Sequence, residues 1–248
     1  MRAFALSLLL LAAGCAEPEA PPPPGGPLAE PGATATPPAD TTPDAPAVAD
    51  SAVTVLFFGD SLTAGYGLDD PDADAYPALV GARLDSLGIP ARVVNAGNSG
   101  ETSAGGLRRI DWVLARTTPD VFVLGLGAND GLRGTSVAAM QDNLEAIFDK
   151  VRAASPDAEL VLLGMESLPN MGAAYTAEYR AAFPAVAQAA GARRVPFLLD
   201  GVAGQAALNQ PDGVHPTPEG HRLMAETVAP TVVEAAQAAA LRLPGAES

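Results

Sequence analysis

Residues 51–248 are predicted to fold as a single doubly wound α/β domain, and three observations carry that prediction. Short, apolar, β-rich runs alternate along the chain with longer stretches of helical spacing. The runs are apolar at consecutive positions, as strands covered on both faces are, which implies a parallel sheet between two layers of helices. The 248-residue chain is 48% hydrophobic, enough to bury a sizeable core.

The first element is a buried strand over residues 53–58, ended by Gly59. A helix over 76–87 follows from the spacing of Leu79, Val80, Leu84 and Leu87, with Pro77 in its first turn and Gly88 at its stop. Residues 91–95 read as a short strand, 106–116 as a helix and 121–126 as a second continuous apolar strand. A helix over 137–154, a strand over 160–163, a helix over 173–190 and a short strand over 195–199 complete the alternation. Thr217-Pro218-Glu219 opens a final helix, with threonine as N-cap and proline at the first helical position.

Charge and composition exclude several functions. Acidic residues outnumber basic ones 29 to 14, a net charge of −15, so no basic face is on offer to nucleic acid or to anionic lipid. The only cysteine, Cys15, allows neither an intramolecular disulfide framework nor a zinc site built on several thiolates. Two histidines, His215 and His221, leave few places for imidazole chemistry.

The first fifty residues stand apart from the domain. In residues 1–15 one positive charge, Arg2, precedes an apolar run and then small residues, the layout of a secretory signal peptide and too short to span a bilayer. Ala12-Ala13-Gly14-Cys15 resembles the bacterial lipobox, in which the cysteine is lipidated, although Leu11 stands one place upstream of that motif's usual leucine. Ordinary signal cleavage beside an incidental Cys15 is the alternative, and either implies export. Residues 16–50 carry eleven prolines, six acids and no basic or aromatic residue. Such a stretch buries too little to offset the entropy of ordering it, and is expected to be an extended, disordered tether.

In doubly wound sheets ligands bind beyond the carboxyl ends of the strands. That rule selects loops holding Gly59-Asp60-Ser61-Leu62, Asn95-Ala96-Gly97-Asn98-Ser99-Gly100, Gly127-Ala128-Asn129-Asp130 and Asp212-Gly213-Val214-His215-Pro216. A serine hydroxyl is a weak nucleophile until a base takes its proton; His215 is the candidate base and Asp212 the candidate group to orient it. The backbone N–H groups of Ser61 and Gly100 and the side-chain amide of Asn129 are candidate donors to an oxyanion. Taken singly, each feature reads as well as a turn or a helix cap. Four polar features in this order on one sheet edge read together as an active site. The second glycine of G-x-S-x-G is absent, so the first loop is not an α/β-hydrolase nucleophile elbow.

These four blocks closely resemble those of the SGNH or GDSL hydrolases. The stretches Glu101-Thr102-Ser103-Ala104-Gly105-Gly106 and Asn129-Asp130-Gly131-Leu132-Arg133-Gly134 are similar to those of the bacterial thioesterase I, lysophospholipase L1 and arylesterase group. The resemblance runs from about Val53 to the last helix. It implies a three-layer α/β/α sandwich on a flavodoxin-like parallel sheet, with no metal or organic cofactor. It also implies Ser61 as nucleophile, Gly100 and Asn129 completing the oxyanion hole, and Asp212 and His215 completing the triad. Ala128 stands where many members carry a second glycine. Leu168, Pro169 and Met171, after the fourth strand, are implied as apolar lining of the acyl groove, with plain loop packing as the alternative.

Other polar residues invite humbler readings. His221 is expected to pack within or on the final helix, and Asp60 to bond the turn backbone. Asp69, Asp70, Asp72 and Asp74 lack the glycine and terminal glutamate of an EF-hand, so a solvated loop is the reading against a calcium loop. Arg133 is open between favouring a polar head group and pairing with an acidic neighbour.

The expected protein is therefore an exported, lipid-anchored serine esterase, acting as a monomer on small-molecule carboxylic esters, thioesters or lysolipids. A carbohydrate acetylesterase would use the same triad but needs aromatic platforms, and Trp112 is the one tryptophan, inside a predicted helix. A non-catalytic binding lipoprotein would need no serine, histidine and aspartate together.

Overall fold

The computed structural model describes residues 52–243. Cys15, the signal-peptide reading of 1–15 and the tether reading of 16–50 lie outside the described residues.

The domain alternates as its sequence predicts. β1 (Val53–Gly59) leads through the short helices α1 (Ser61–Ala64) and α2 (Pro71–Asp74) into α3 (Tyr76–Ser86) and β2 (Ala91–Gly97). Then come α4 (Ser103–Leu114), β3 (Val121–Gly125), α5 (Ala128–Arg133), α6 (Val137–Ala154) and β4 (Glu159–Leu163). A 3-10 turn (Pro169–Met171), α7 (Ala173–Ala190), β5 (Arg193–Val195) and α8 (Pro218–Ala240) close the described chain.

All pairings are parallel and the strand order is β2-β1-β3-β4-β5. The chain steps from β1 to one side, then returns past it and continues to the other. With right-handed crossovers that reversal puts α3 on one face of the sheet and α4, α6 and α7 on the other. Helix α8 packs on α3, while α6 packs on both α4 and α7, giving the three-layer sandwich. Between β1 and β3 the connections depart in opposite directions, leaving the crevice where such folds bind ligands.

β1 and β3 are buried along their whole length, which is why their side chains are apolar at successive positions. Phe58 meets Phe122, which meets Phe148 of α6 edge-on, whereas Phe57 of β1 meets Tyr76 of α3 edge-on. All five rings are essentially inaccessible to water. Phe122→Ala would leave a ring-sized void between β3 and α6, and is expected to cost about 3–5 kcal/mol in denaturant unfolding. A loss below about 1 kcal/mol would contradict this account of the core.

Several boundaries differ from expectation, β2 running on to Gly97 and α4 ending at Leu114, and two of the differences have a visible cause. α4 begins at Ser103, capped by Thr102 Oγ1 accepting from Gly105 N–H, three residues before the predicted start. The glycine pair disguised it: Gly106 is small because Leu126 Cδ1 and Phe58 Cε1 occupy the space a Cβ would take. The last strand covers residues 193–195 rather than 195–199. Pro196 has no N–H to continue the ladder, and the chain turns, with Leu198 N–H donating to Gly164 O at 2.9 Å.

Candidate active site

β1 delivers its last residue to a tight turn. Asp60 caps α1 by accepting the Leu62 N–H on Oδ1 at 3.0 Å, so Ser61 opens that helix with its side chain at the sheet edge. Ser61 Oγ lies 3.0 Å from His215 Nε2. On the other side of the imidazole, Nδ1 lies 2.6 Å from Asp212 Oδ2.

Asp212 and His215 share one turn whose geometry is locally determined. Asp212 Oδ1 accepts the backbone N–H groups of Val214 and His215 at 2.9 and 3.0 Å. The His215 side chain foremost, then these two backbone donors, hold the Asp212 carboxyl well below the usual carboxylate range. Asn209 and Pro216 form an antiparallel bridge that closes the turn, and α8 starts directly after it with Thr217 as N-cap.

Two residues that brace His215 carried no singled-out signal in the sequence. Gln210 donates its backbone N–H to His215 O at 2.7 Å, and its Nε2 donates to Tyr66 O and Pro216 O at 2.8 and 3.0 Å. It thereby ties the histidine turn to the loop after α1. From that loop the Tyr66 ring packs on the imidazole, centroids 4.5 Å apart. A lone glutamine has no pattern to betray such a task.

The other two loops reach the same cleft. Gly100 adopts φ +77°, a left-handed conformation that favours glycine, and nothing fills the space where a side chain would stand. Behind it, Arg109 grips Glu101 with a two-pronged ion pair and donates to Ala96 O at 2.9 Å. Arg133 donates to Gly100 O at 3.1 Å, a backbone partner that neither of its two sequence readings names. Asn129, near the start of α5, lines the cleft and donates Nδ2–H to Asp60 Oδ2 at 3.4 Å. Its neighbour Asp130 is buried and accepts the N–H and hydroxyl of Ser103 at 2.8 and 2.7 Å, locking α5 to the start of α4. Asp60 is fully buried, and burial pushes its carboxyl up to about 7 despite its bonds to Leu62 and Asn129.

The cleft holds about 730 Å³. Ser61, Gly100, Asn129 and His215 form its polar end, and Met165, Leu168, Phe197, Leu199 and Val214 give it an apolar wall. Of the three residues implied as groove lining, Leu168 is on that wall. Met171 is not a lining residue: the 3-10 turn carries its methyl onto Gly134 at the end of α5, where it packs. Pro169 opens that turn.

His221 stands away from this chemistry. It is buried between α8 and α3, stacks on Tyr76 and accepts the Tyr76 N–H on Nδ1 at 3.3 Å. Burial lowers its pKa to about 4, so it is a neutral packing residue that caps α3. Asp70 stands at the N-cap position of α2 without a side-chain capping bond, and Asp72 and Asp74 lie in that helix's first turn.

A 2-1-3-4-5 parallel sheet whose C-terminal edge carries these four blocks defines an SGNH-type ester hydrolase. Residues 57–223 match the GDSL-like Lipase/Acylhydrolase family, and the chain belongs to that family. It is 41% identical over 182 residues to Esterase TesA of Pseudomonas aeruginosa, covering 73% of this chain and 89% of the relative. It is 34% identical over 181 residues to thioesterase 1/protease 1/lysophospholipase L1 of Escherichia coli K12, covering 73% and 84%. The crystal structure of TesA superposes with a TM-score of 0.68 at 41% identity, covering 72% of this chain and 97% of that one.

Proposed function

We propose that this enzyme is an exported serine esterase that hydrolyses carboxylic esters or thioesters through an acyl-enzyme. The observation that carries the reading is the unbroken chain from Ser61 Oγ through the His215 ring to Asp212, opening into the cleft. Ser61 Oγ attacks the acyl carbonyl while His215 Nε2 takes its proton. Asp212 holds Nδ1–H, and so stabilises the imidazolium that forms. The tetrahedral oxyanion is met by the N–H groups of Ser61 and Gly100 and by the Asn129 amide. As the intermediate collapses, His215 returns the proton to the leaving alcohol or thiol. Water then attacks the acyl-serine by the same route, releasing the acid and restoring Ser61.

The apolar wall favours an acyl or lysolipid substrate over a sugar ester. Trp112, the aromatic platform that a sugar site would want, is 58% exposed on α4, stacked by Arg116, and is not part of the cleft lining. We further propose that residues 1–15 direct export, that Cys15 carries the lipid anchor, and that residues 16–50 tether a monomeric catalytic domain, 51–248, to the membrane. Acyl mass on an N-terminal Cys15 peptide from the membrane fraction is the expected result; a mature N-terminus elsewhere without acyl mass would refute the anchor.

The experiment that tests the activity is hydrolysis of p-nitrophenyl esters from acetate to palmitate, with Ser61→Ala alongside. Serine-dependent turnover beyond acetate is expected, with a chain-length optimum set by the apolar wall. An acetate-only profile would favour the carbohydrate acetylesterase. Asn129→Ala is expected to lower kcat by about 10²–10³ with a smaller change in KM, since the amide meets charge that develops after binding.

A further inference from the structure

The hydrolytic reading leaves one buried carboxyl at the site without a task. Asp60 is inaccessible to water, yet it touches two parts of the machinery. Its Oδ1 is committed to the Leu62 N–H that starts α1, and its Oδ2 faces the amide of Asn129. An ionised carboxylate only accepts hydrogen bonds, whereas a carboxamide donates at one end and accepts at the other. With its nitrogen toward Asp60, Asn129 spends one N–H on Oδ2 and keeps the second for the cleft it lines. Turned by 180°, it would set Oδ1 against the buried carboxylate oxygen of Asp60, and two acceptors in contact repel.

We infer that Asp60 is a positioning residue that fixes which end of the Asn129 amide is presented to the substrate. It rests on the reading of Asn129 as an oxyanion donor, and acts only through it. A carbonyl oxygen turned into that position would repel the charge that develops there.

This makes an unusual prediction about conservative change. In Asp60→Asn the Leu62 cap still requires an acceptor, so the new amide keeps Oδ1 there and puts its NH₂ where Oδ2 was. That NH₂ calls for the oxygen of Asn129 and selects the wrong flip. Asp60→Ser keeps a cap for Leu62 but has no group long enough to reach Asn129, so the amide is freed rather than reversed. The nearly isosteric variant is therefore the worse enzyme.

The test measures kcat and KM on p-nitrophenyl butyrate at about pH 8.5, where Asp60 is ionised, with Tm followed in parallel. Asp60→Asn is expected to lose about 10²-fold in kcat, near the cost of an oxyanion donor, with KM within about two-fold. Asp60→Ser is expected to lose only about ten-fold, below the cost of losing a donor outright. In an Asn129→Ala background both substitutions should cost less than about two-fold more, the non-additivity of residues that act as one unit. An Asp60→Asn variant as active as Asp60→Ser or more so overturns the inference, as does an equal penalty in both backgrounds. Should Asp60→Asn fail to fold, a fall in kcat for Asp60→Ser that persists undiminished in the Asn129→Ala background overturns it alone. Full activity in Asn129→Ala instead removes the oxyanion reading itself, so the two failures are told apart.

Discussion

Ser61→Ala is expected to lower kcat on p-nitrophenyl esters by about 10⁵–10⁶ while leaving the fold intact. The Oγ stands at the end of a fully buried strand, 3.0 Å from the only imidazole in the cleft. No other described hydroxyl is hydrogen-bonded to a histidine, so no second nucleophile can inherit the role. What survives is the rate given by the oxyanion donors and by binding, acting on water. Because alanine suits the first turn of a helix, Tm should move by no more than a few degrees. A fluorophosphonate probe should label the wild type and not the variant. Equal turnover by the two purified proteins would end the serine-esterase assignment.

The second large effect belongs to a residue that is half in water. Asp212→Asn is expected to cost about 10⁴ in kcat, although the Asp212 side chain is 43% exposed. The carboxylate accepts from Nδ1–H and so leaves Nε2 as the acceptor facing Ser61. An asparagine needs Oδ1 for the N–H groups of Val214 and His215, and so presents its NH₂ to Nδ1. That favours the opposite tautomer, with a proton on Nε2, which cannot take another from serine. The depressed Asp212 pKa fixes the sign of its pH dependence. Its contribution is fully present above the unfolded value of about 3.9 and is lost only as pH falls through the still lower folded value. No step in kcat/KM in the ordinary carboxylate range, about pH 4–5, should therefore be assignable to Asp212. A variant within ten-fold of wild type would mean that the exposed pair does not set the tautomer.

Much of this was legible in the sequence because it is local. α6 and α7 begin and end where their apolar spacing does, and α8 starts at the threonine and proline that announce it. The sequence placed Ser61, Gly100, Asn129 and His215 on one sheet edge because parallel strands all end there, and the structure brings them around one cleft. What stayed hidden depends on contacts across the fold. Gln210 acts through Tyr66, 144 positions away, and Asp60 meets Asn129 across 69, separations that no short pattern encodes. β5 lies earlier than its sequence suggests because Phe197, Leu198 and Leu199 are as apolar as a strand, while Pro196 ends the ladder before them. The resemblance implies Met171 as groove lining, but apolarity alone does not say which neighbour a side chain will cover, and Met171 lies against Gly134.

The two outer strands of the sheet have a consequence for how this protein behaves in crowded solution. An unpaired strand edge is a template onto which another molecule can add its own backbone. At one margin β5 offers only three residues before Pro196, and Arg193 is pinned there by Glu159 and Glu234. At the other, β2 is longer but carries Arg92, bonded to Thr54, and Asn95, whose amide is turned inward to Thr63 O. Short length, proline, paired charge and an inward-turned amide are the devices by which natural sheets refuse a further strand. Together with a net charge of −15, they discourage folded molecules from stitching edge to edge. Aggregation is left to the unfolded chain, which exposes the apolar central strands that the native sheet keeps innermost.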